Sequence, residues 1–218
     1  MDDPFELERD AAIAEFIENS VTEIAYDNVR IYLGTYGDAV EERVRQCILE
    51  AKKLIELEFW GPSLTLSITA IEITIRFMVL RPLMQGAFLS EEWAEILTKR
   101  IATGRSAEDR KLLPAILRQW GIDITTIKTK SNESLWQNIK SLIQKRNDFV
   151  HSGEEIKERE ARKALEAADT LVAEVIVPIA EKFGFSLSET GRWHKIDKYD
   201  SEGGERHTSF KPLSPFKK

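Results

Sequence analysis

The chain reads as an all-α protein, and three features point that way. Apolar side chains recur at three- and four-residue steps through most of the 218 residues. Gly34-Thr35-Tyr36-Gly37, Gly61-Pro62, Gly121, Gly153 and Gly184 fall between those stretches. Sustained two-residue alternation occurs once, in Leu64-Thr65-Leu66-Ser67-Ile68-Thr69, where the helical count is better. The hydrophobic content of 42% is enough for a real core, so one bundle with additions is the natural organisation.

Residues 5–33 read as a first helix, with Ile13, Phe16, Ile17, Val21 and Ile24 on one side. Gly34-Thr35-Tyr36-Gly37 is expected to break it, and Asp38 to cap the next. The second helix carries Val40, Val44, Cys47, Ile48, Ala51, Leu54 and Ile55 and ends before Gly61-Pro62. Its other face, with Glu41, Glu42, Arg45, Lys52, Lys53 and Glu56, is expected to face solvent. Residues 63–80 form a helix apolar on most of its circumference, hence a central one, ended by Pro82. Ser90-Glu91-Glu92 opens a helix bearing Trp93, Ile96, Leu97 and Ile101. Residues 102–110 read as a loop and helix start, and Leu112 to Trp120 as a short helix, irregular at Pro114 and capped by Gly121. After a polar connection, 122–132, a helix from Leu135 repeats Ile139, Leu142, Ile143, Phe149 and Val150 and stops at Gly153. Residues 154–183 give the last long helix, kinked at Pro178 and ended by Gly184. Beyond Phe185 the period is lost, which predicts an extended or flexible arm. In that arm Trp193-His194-Lys195 suits a base or a partner chain, although packing on its own body is the commoner use of such a Trp.

Composition narrows the chemistry. One cysteine, Cys47, leaves no disulfide framework or multi-cysteine zinc site, and its place on an apolar stripe makes it core filler. His151, His194 and His207 are scattered, so no metal-ligand spacing appears and no cofactor is expected. There is no Walker or dinucleotide glycine loop and no Gly-x-Ser-x-Gly elbow. The start is acidic and lacks signal-peptide character. The most apolar run, 64–80, is interrupted by Glu72 and Arg76, so no membrane span and a cytoplasmic home are expected. The net charge of −6 is unevenly spread. Residues 1–98 hold 8 Lys/Arg against 19 Asp/Glu, whereas 99–146 hold 11 against 4. The basic segment can draw a polyanion toward its C-terminal end, or be no more than a solvated face.

At that end stands Arg146-Asn147-Asp148-Phe149-Val150-His151-Ser152-Gly153. Arg146 falls on the apolar stripe of its helix, where a permanent charge demands an anionic partner or water. Asn147 and His151, four apart, are neighbours on an adjacent face. Glu72, on the central helix, is the carboxylate in search of a cation. An intrahelical Glu72–Arg76 pair needs no tertiary contact and is the preferred expectation. The other is that Glu72 orients Arg146.

Arg146-Asn147-x-x-x-His151 resembles the signature of the HEPN superfamily (higher eukaryotes and prokaryotes nucleotide-binding): an Arg, usually followed by Asn, and a His about four to six residues on. The resemblance implies a HEPN-like up-and-down helical bundle over residues 38–184, flanked by an N-terminal helical extension, 1–37, and a polar C-terminal arm, 185–218. It also implies a metal-independent endoribonuclease of toxin or antiphage type acting on tRNA or mRNA, with an antitoxin or defence-complex partner. The alternative is an inactive HEPN scaffold or nucleotide-binding module.

The residues suit that chemistry on their own account. Imidazole, with an ordinary pKa of about 6.5, can move the 2′-hydroxyl proton near neutrality. A guanidinium offers a fixed charge and a fork matched to phosphate oxygens. An amide can orient either without competing for protons. His151, Arg146 and Asn147 fill those roles in turn, and the products expected are a 2′,3′-cyclic phosphate and a 5′-hydroxyl. Lys128, Lys130, Lys140 and Lys145 are candidate RNA contacts. Arg146 and His151 lie roughly 140° apart around an ideal helix. One chain is thus poorly arranged to supply both an acid and a base, so a homodimer with a composite site is expected.

Overall fold

A computed structural model of the protein describes residues 4–82, 96, 109–187 and 193–195, with side chains described within 27–82, 96, 113–118 and 120–185. The fold is all-α. In chain order its elements are α1 (Pro4–Glu56), α2 (Trp60–Ile73) continued by a π-helical stretch (Thr74–Leu80), α3 (Asp109–Gln119), α4 (Leu135–Ser152), α5 (Glu158–Leu171), a second π-helical stretch (Val172–Ile176) and α6 (Val177–Lys182). Two short strands complete the order, β1 (Phe185–Leu187) and β2 (Trp193–Lys195).

The central element is α2, as its two apolar stripes require. Leu64, Ile68, Ile71, Ile75 and Met78 are all buried, as are Ala70 and Leu80 on the second stripe. It packs on α1, α4 and α5. Ser63 ties it to α1, its hydroxyl donating to the Ala51 carbonyl at 2.9 Å. The helix opens at Trp60, three residues earlier than expected, because Pro62 fits a first turn whose N–H groups have no intrahelical partner anyway. Counted from Trp60 to Leu80 the helix is long and apolar enough to cross a membrane, contrary to the expectation from 64–80, but most of it is buried inside the bundle. Pro82 is still helical, and its expected role as terminator falls at the edge of the described residues.

The break expected at Gly34–Gly37 is absent: α1 runs through it. A helical glycine costs about 1 kcal/mol relative to alanine, and burial on either side offsets it. Val29, Tyr32 and Leu33 before the glycines and Val40 and Val44 after them join one core. Gly34 accepts the Phe185 ring, 3.5 Å from where a Cβ would sit, and Tyr32 and Tyr36 stack tilted at 5.3 Å across the same turn. The apolar side chains expected at residues 13–24, and the helix expected from Ser90, lie outside the described side chains, Ile96 excepted, which is helical and exposed. Cys47 is half-buried against the core, and burial pushes its thiol up.

In α3, which continues through Pro114, Leu113 and Leu117 are buried, as is Trp120 just after it. Trp120 meets Phe183 edge-on at 5.5 Å. The last helical segment starts at Glu158 rather than Glu154, because Lys157 takes the cap position and the Glu160 carboxylate accepts its backbone N–H at 3.0 Å. A π-helical stretch, Val172–Ile176, stands just before Pro178, where a kink is expected. The Val177 N–H reaches five residues back to Val172, so the turn that Pro178 leaves short of a donor is absorbed by widening. Gly184, at φ 81°, ends the helix as expected.

The start of the C-terminal arm also departs from expectation. Phe185 is core, and β1 pairs antiparallel with β2, Phe185 opposite Lys195 and Leu187 opposite Trp193. The backbone of β2 runs beside α1.

Glu41 corrects the solvent-facing assignment of its helix face. It is 8% exposed, and its Oε2 has no hydrogen-bond partner. Burial raises its carboxyl from 4.5 to about 7, against the pull of Arg45 and with a further push from Asp38 and Glu42. The folded state therefore holds a proton that the unfolded chain releases, and stability falls as pH rises from about 4.5 to about 7. Glu41→Gln is expected to flatten that slope and to raise unfolding free energy at pH 8 by on the order of 1–3 kcal/mol, read by urea denaturation at pH 5 and pH 8.

Candidate functional site

The connection into α4 is built from local turns. Gly121 at φ 82° leaves α3, and Asp123 Oδ1 accepts the Thr125 N–H at 3.0 Å and its hydroxyl at 2.6 Å. Thr125 first, then Arg118, hold the Asp123 carboxyl below the usual carboxylate range. Farther on, the Ser131 hydroxyl donates to Glu166 at 2.7 Å and Lys163 pairs with Glu133 at 2.5 Å, which ties the loop to α5. Lys163 is the main reason the Glu133 carboxyl is depressed.

In α4, Leu135, Ile139 and Leu142 are buried, and Ile143 and Phe149 are partly so. Val150, assigned to the same stripe, is 53% exposed. It stands close to Gly153, which takes φ 69° and terminates the helix as its sequence position indicated.

Arg146 and Glu72 meet across the α2–α4 groove: Nη2 of the guanidinium donates to Oε1 of the carboxylate. Both side chains are 25% exposed. The preferred intrahelical Glu72–Arg76 pair is not formed, because a cation from α4 takes the carboxylate instead. The Arg146 Nε is buried without an acceptor, as is that of Arg76. Asn147 is half-buried and His151 exposed, and among the described residues neither side chain is engaged in a hydrogen bond. The structure thus joins Arg146 to Glu72, leaves Asn147 half-buried on the same helix, and presents His151 to solvent at that helix's end.

The lysines divide. Lys128 and Lys130 are exposed on the loop, where Lys128 bridges in backbone to Ser134. The Lys140 ammonium stands 5.7 Å over the Trp136 ring. Lys145 is already engaged, 2.5 Å from Glu154 and 3.3 Å from Glu160, and those carboxylates hold its ammonium above the usual range. Its role in the folded chain is to clamp the end of α4 to the start of α5. Among the described residues no group of three or more His, Cys, Asp or Glu side chains could hold a metal ion.

Arg76, the expected partner of Glu72, stands outside that ion pair, and Gly61 has a part in the site that its sequence position does not reveal. A Cβ on Gly61 would fall 2.4 Å from the Phe149 ring, so the glycine is what lets α4 approach α2 at the Arg146–His151 end. Gly61-Pro62 signalled only a helix boundary, and the contact partner lies 88 residues away. Phe59 and Leu57, in the corner before Gly61, are 55% and 64% exposed. Val150, the sequence neighbour of His151, is exposed as well.

Gly61→Ala is expected to cost about 1–3 kcal/mol by forcing Phe149 outward. A double-mutant cycle with Phe149→Leu should recover part of that cost, and strict additivity in denaturant melts would show that the two positions do not touch. In comparisons with known proteins, no family model, no curated protein and no solved structure matches this chain, so its site stands on its own geometry.

Proposed function

We propose that the protein is a metal-independent endoribonuclease whose reacting groups are Arg146, Asn147 and His151. The observation that carries this reading is the ion pair between Glu72 and Arg146. A carboxylate on the central helix fixes the guanidinium at the α4 end that also carries an unpaired amide and a solvent-facing imidazole.

In the reaction, an imidazole removes the 2′-hydroxyl proton and the oxygen attacks phosphorus. The Arg146 fork carries the charge of the pentavalent intermediate. A second proton donor then releases the 5′-oxygen, leaving a 2′,3′-cyclic phosphate and a 5′-hydroxyl. Glu72 is a positioning residue that limits how far the guanidinium can wander. With one imidazole in each chain's site, the acid and base come from two copies. The exposed Val150, Phe59 and Leu57 are the apolar surface through which the copies are brought together beside His151. Such an enzyme fits a toxin or an antiphage effector acting on tRNA or mRNA.

That same apolar surface favours a second reading, in which the bundle is an inactive scaffold of a larger complex. One assay separates the two. Wild-type protein incubated with RNA in EDTA is expected to yield cyclic-phosphate ends, and His151→Ala and Arg146→Ala to lower the rate by about 10²–10⁴-fold. Absence of cleavage across tRNA, mRNA and synthetic RNA leaves the scaffold. Light scattering after gel filtration should give a dimer, and Phe59→Glu with Val150→Glu a monomer without activity. A fully active monomer overturns the composite site.

A further inference from the structure

Glu41 takes no part in the reaction proposed for Arg146, Asn147 and His151, and its place in α1 is at odds with its charge. It is 8% exposed, and its Oε2 has no hydrogen-bond partner. The charged groups that act on it all belong to α1: Arg45 favours the carboxylate, whereas Asp38 and Glu42 oppose it. The elements α2, the first π-helical stretch, α5 and β2 pack on α1. Among the described residues, no charged group on any of them acts on Glu41. A carboxylate so placed must reach water or a donor once it ionises.

The weakest part of α1 lies just before it. Gly34 and Gly37 are the only glycines of the helix, and glycine is among the poorest helix formers. Between them the Thr35 hydroxyl donates back to the Ile31 carbonyl at 2.7 Å, a bond of the kind that loosens and bends helices. Gly34, Thr35, Asp38 and Ala39 are exposed, so water reaches one side of this turn. Then comes Asp38-Ala39-Val40-Glu41, an acid followed three residues later by Glu, which is the pattern of a helix start. In a helix that began at Asp38, the Glu41 carboxylate could accept the Asp38 backbone N–H, at the end where negative charge is favoured. In the unbroken helix that N–H serves the regular bond four residues back, to Gly34.

We propose that residues 34–37 are a hinge in α1, operated by proton loss from Glu41. With the side chain neutral, the helix runs unbroken and Glu41 stays buried. With it charged, the turn at the glycines unwinds, the helix restarts at Asp38 and the carboxylate takes up the capping position. Val29, Tyr32 and Leu33 before the turn, and Val40 and Val44 after it, belong to one core, which confines the opening to the turn between them. The direction with pH follows from burial, which raises the Glu41 carboxyl from 4.5 to about 7. The closed form is fully favoured below about pH 4.5 and loses that advantage as pH rises to about 7. The hinge does not depend on the ribonuclease reading.

The test is residue-resolved hydrogen exchange of the full chain at pH 5 and pH 8, corrected for the intrinsic rise of exchange with pH. Backbone amides 37–41 are expected to lose protection about tenfold or more at pH 8, through an opening insensitive to low urea. Amides 164–171 of α5 are expected to exchange only through urea-sensitive unfolding. Glu41→Gln should abolish the change at 37–41, and if it does not fold, Glu41→Leu takes its place with the same result. Asp38→Ala removes the cap and should shrink the loss at pH 8 severalfold, whereas Asp38→Asn, which can still cap, should keep it. Exchange at 37–41 as urea-sensitive as that of α5 overturns the hinge, since Glu41 then acts on global stability alone. So does a loss that survives at full size in a folded Glu41 variant, or one indifferent to Asp38→Ala.

Discussion

A permanent cation on a helix face that packs against the core must be answered by a negative charge, and Glu72 answers Arg146. That one contact spans 74 positions of sequence and crosses the groove between the two helices that define the site. Its energetic worth is modest, since both groups keep some access to water and exposed pairs gain little. Its directional worth is larger. A guanidinium held at Nη2 by a carboxylate is fixed in direction toward the end of α4.

Close approach of the helices makes the contact possible. Gly61 has no Cβ to oppose the Phe149 ring, and Ser63 draws the start of α2 to the Ala51 carbonyl of α1. At the other side Lys145 holds α4 to Glu154 and Glu160, and the loop before it is fastened to α5 through Glu133 and Glu166. The helix that carries Arg146, Asn147 and His151 is thus fixed at both ends, while its last turn remains open to solvent. A rigid frame with one open edge is the usual way to offer polar groups to a ligand.

Much of the framework was legible from periodicity, because a side chain every 100° around a helix leaves an unmistakable stripe. The central helix, the turn at Gly153 and the stop at Gly184 are direct consequences of residues 64–80, 153 and 184. Gly34 and Gly37 carry a local preference against helix, yet α1 runs through both and the Phe185 ring closes in on Gly34. Glu41 belongs by type to a solvent face and is nonetheless covered. At Gly34 a contact distant in sequence offsets a local propensity of about 1 kcal/mol.

The site divides in the same way. From the sequence alone came the residue types, their placement at the end of one helix and the need of Arg146 for a counter-ion, since these depend on spacing along a single element. Only the tertiary structure decided which counter-ion. An intrahelical partner for Glu72 was one turn away, but α4 brings a guanidinium to the same carboxylate and leaves Arg76 without it. Pairing between helices depends on how their axes approach, and that is set by shape at positions such as Gly61 and Phe149, far apart in the chain and silent about each other until packed.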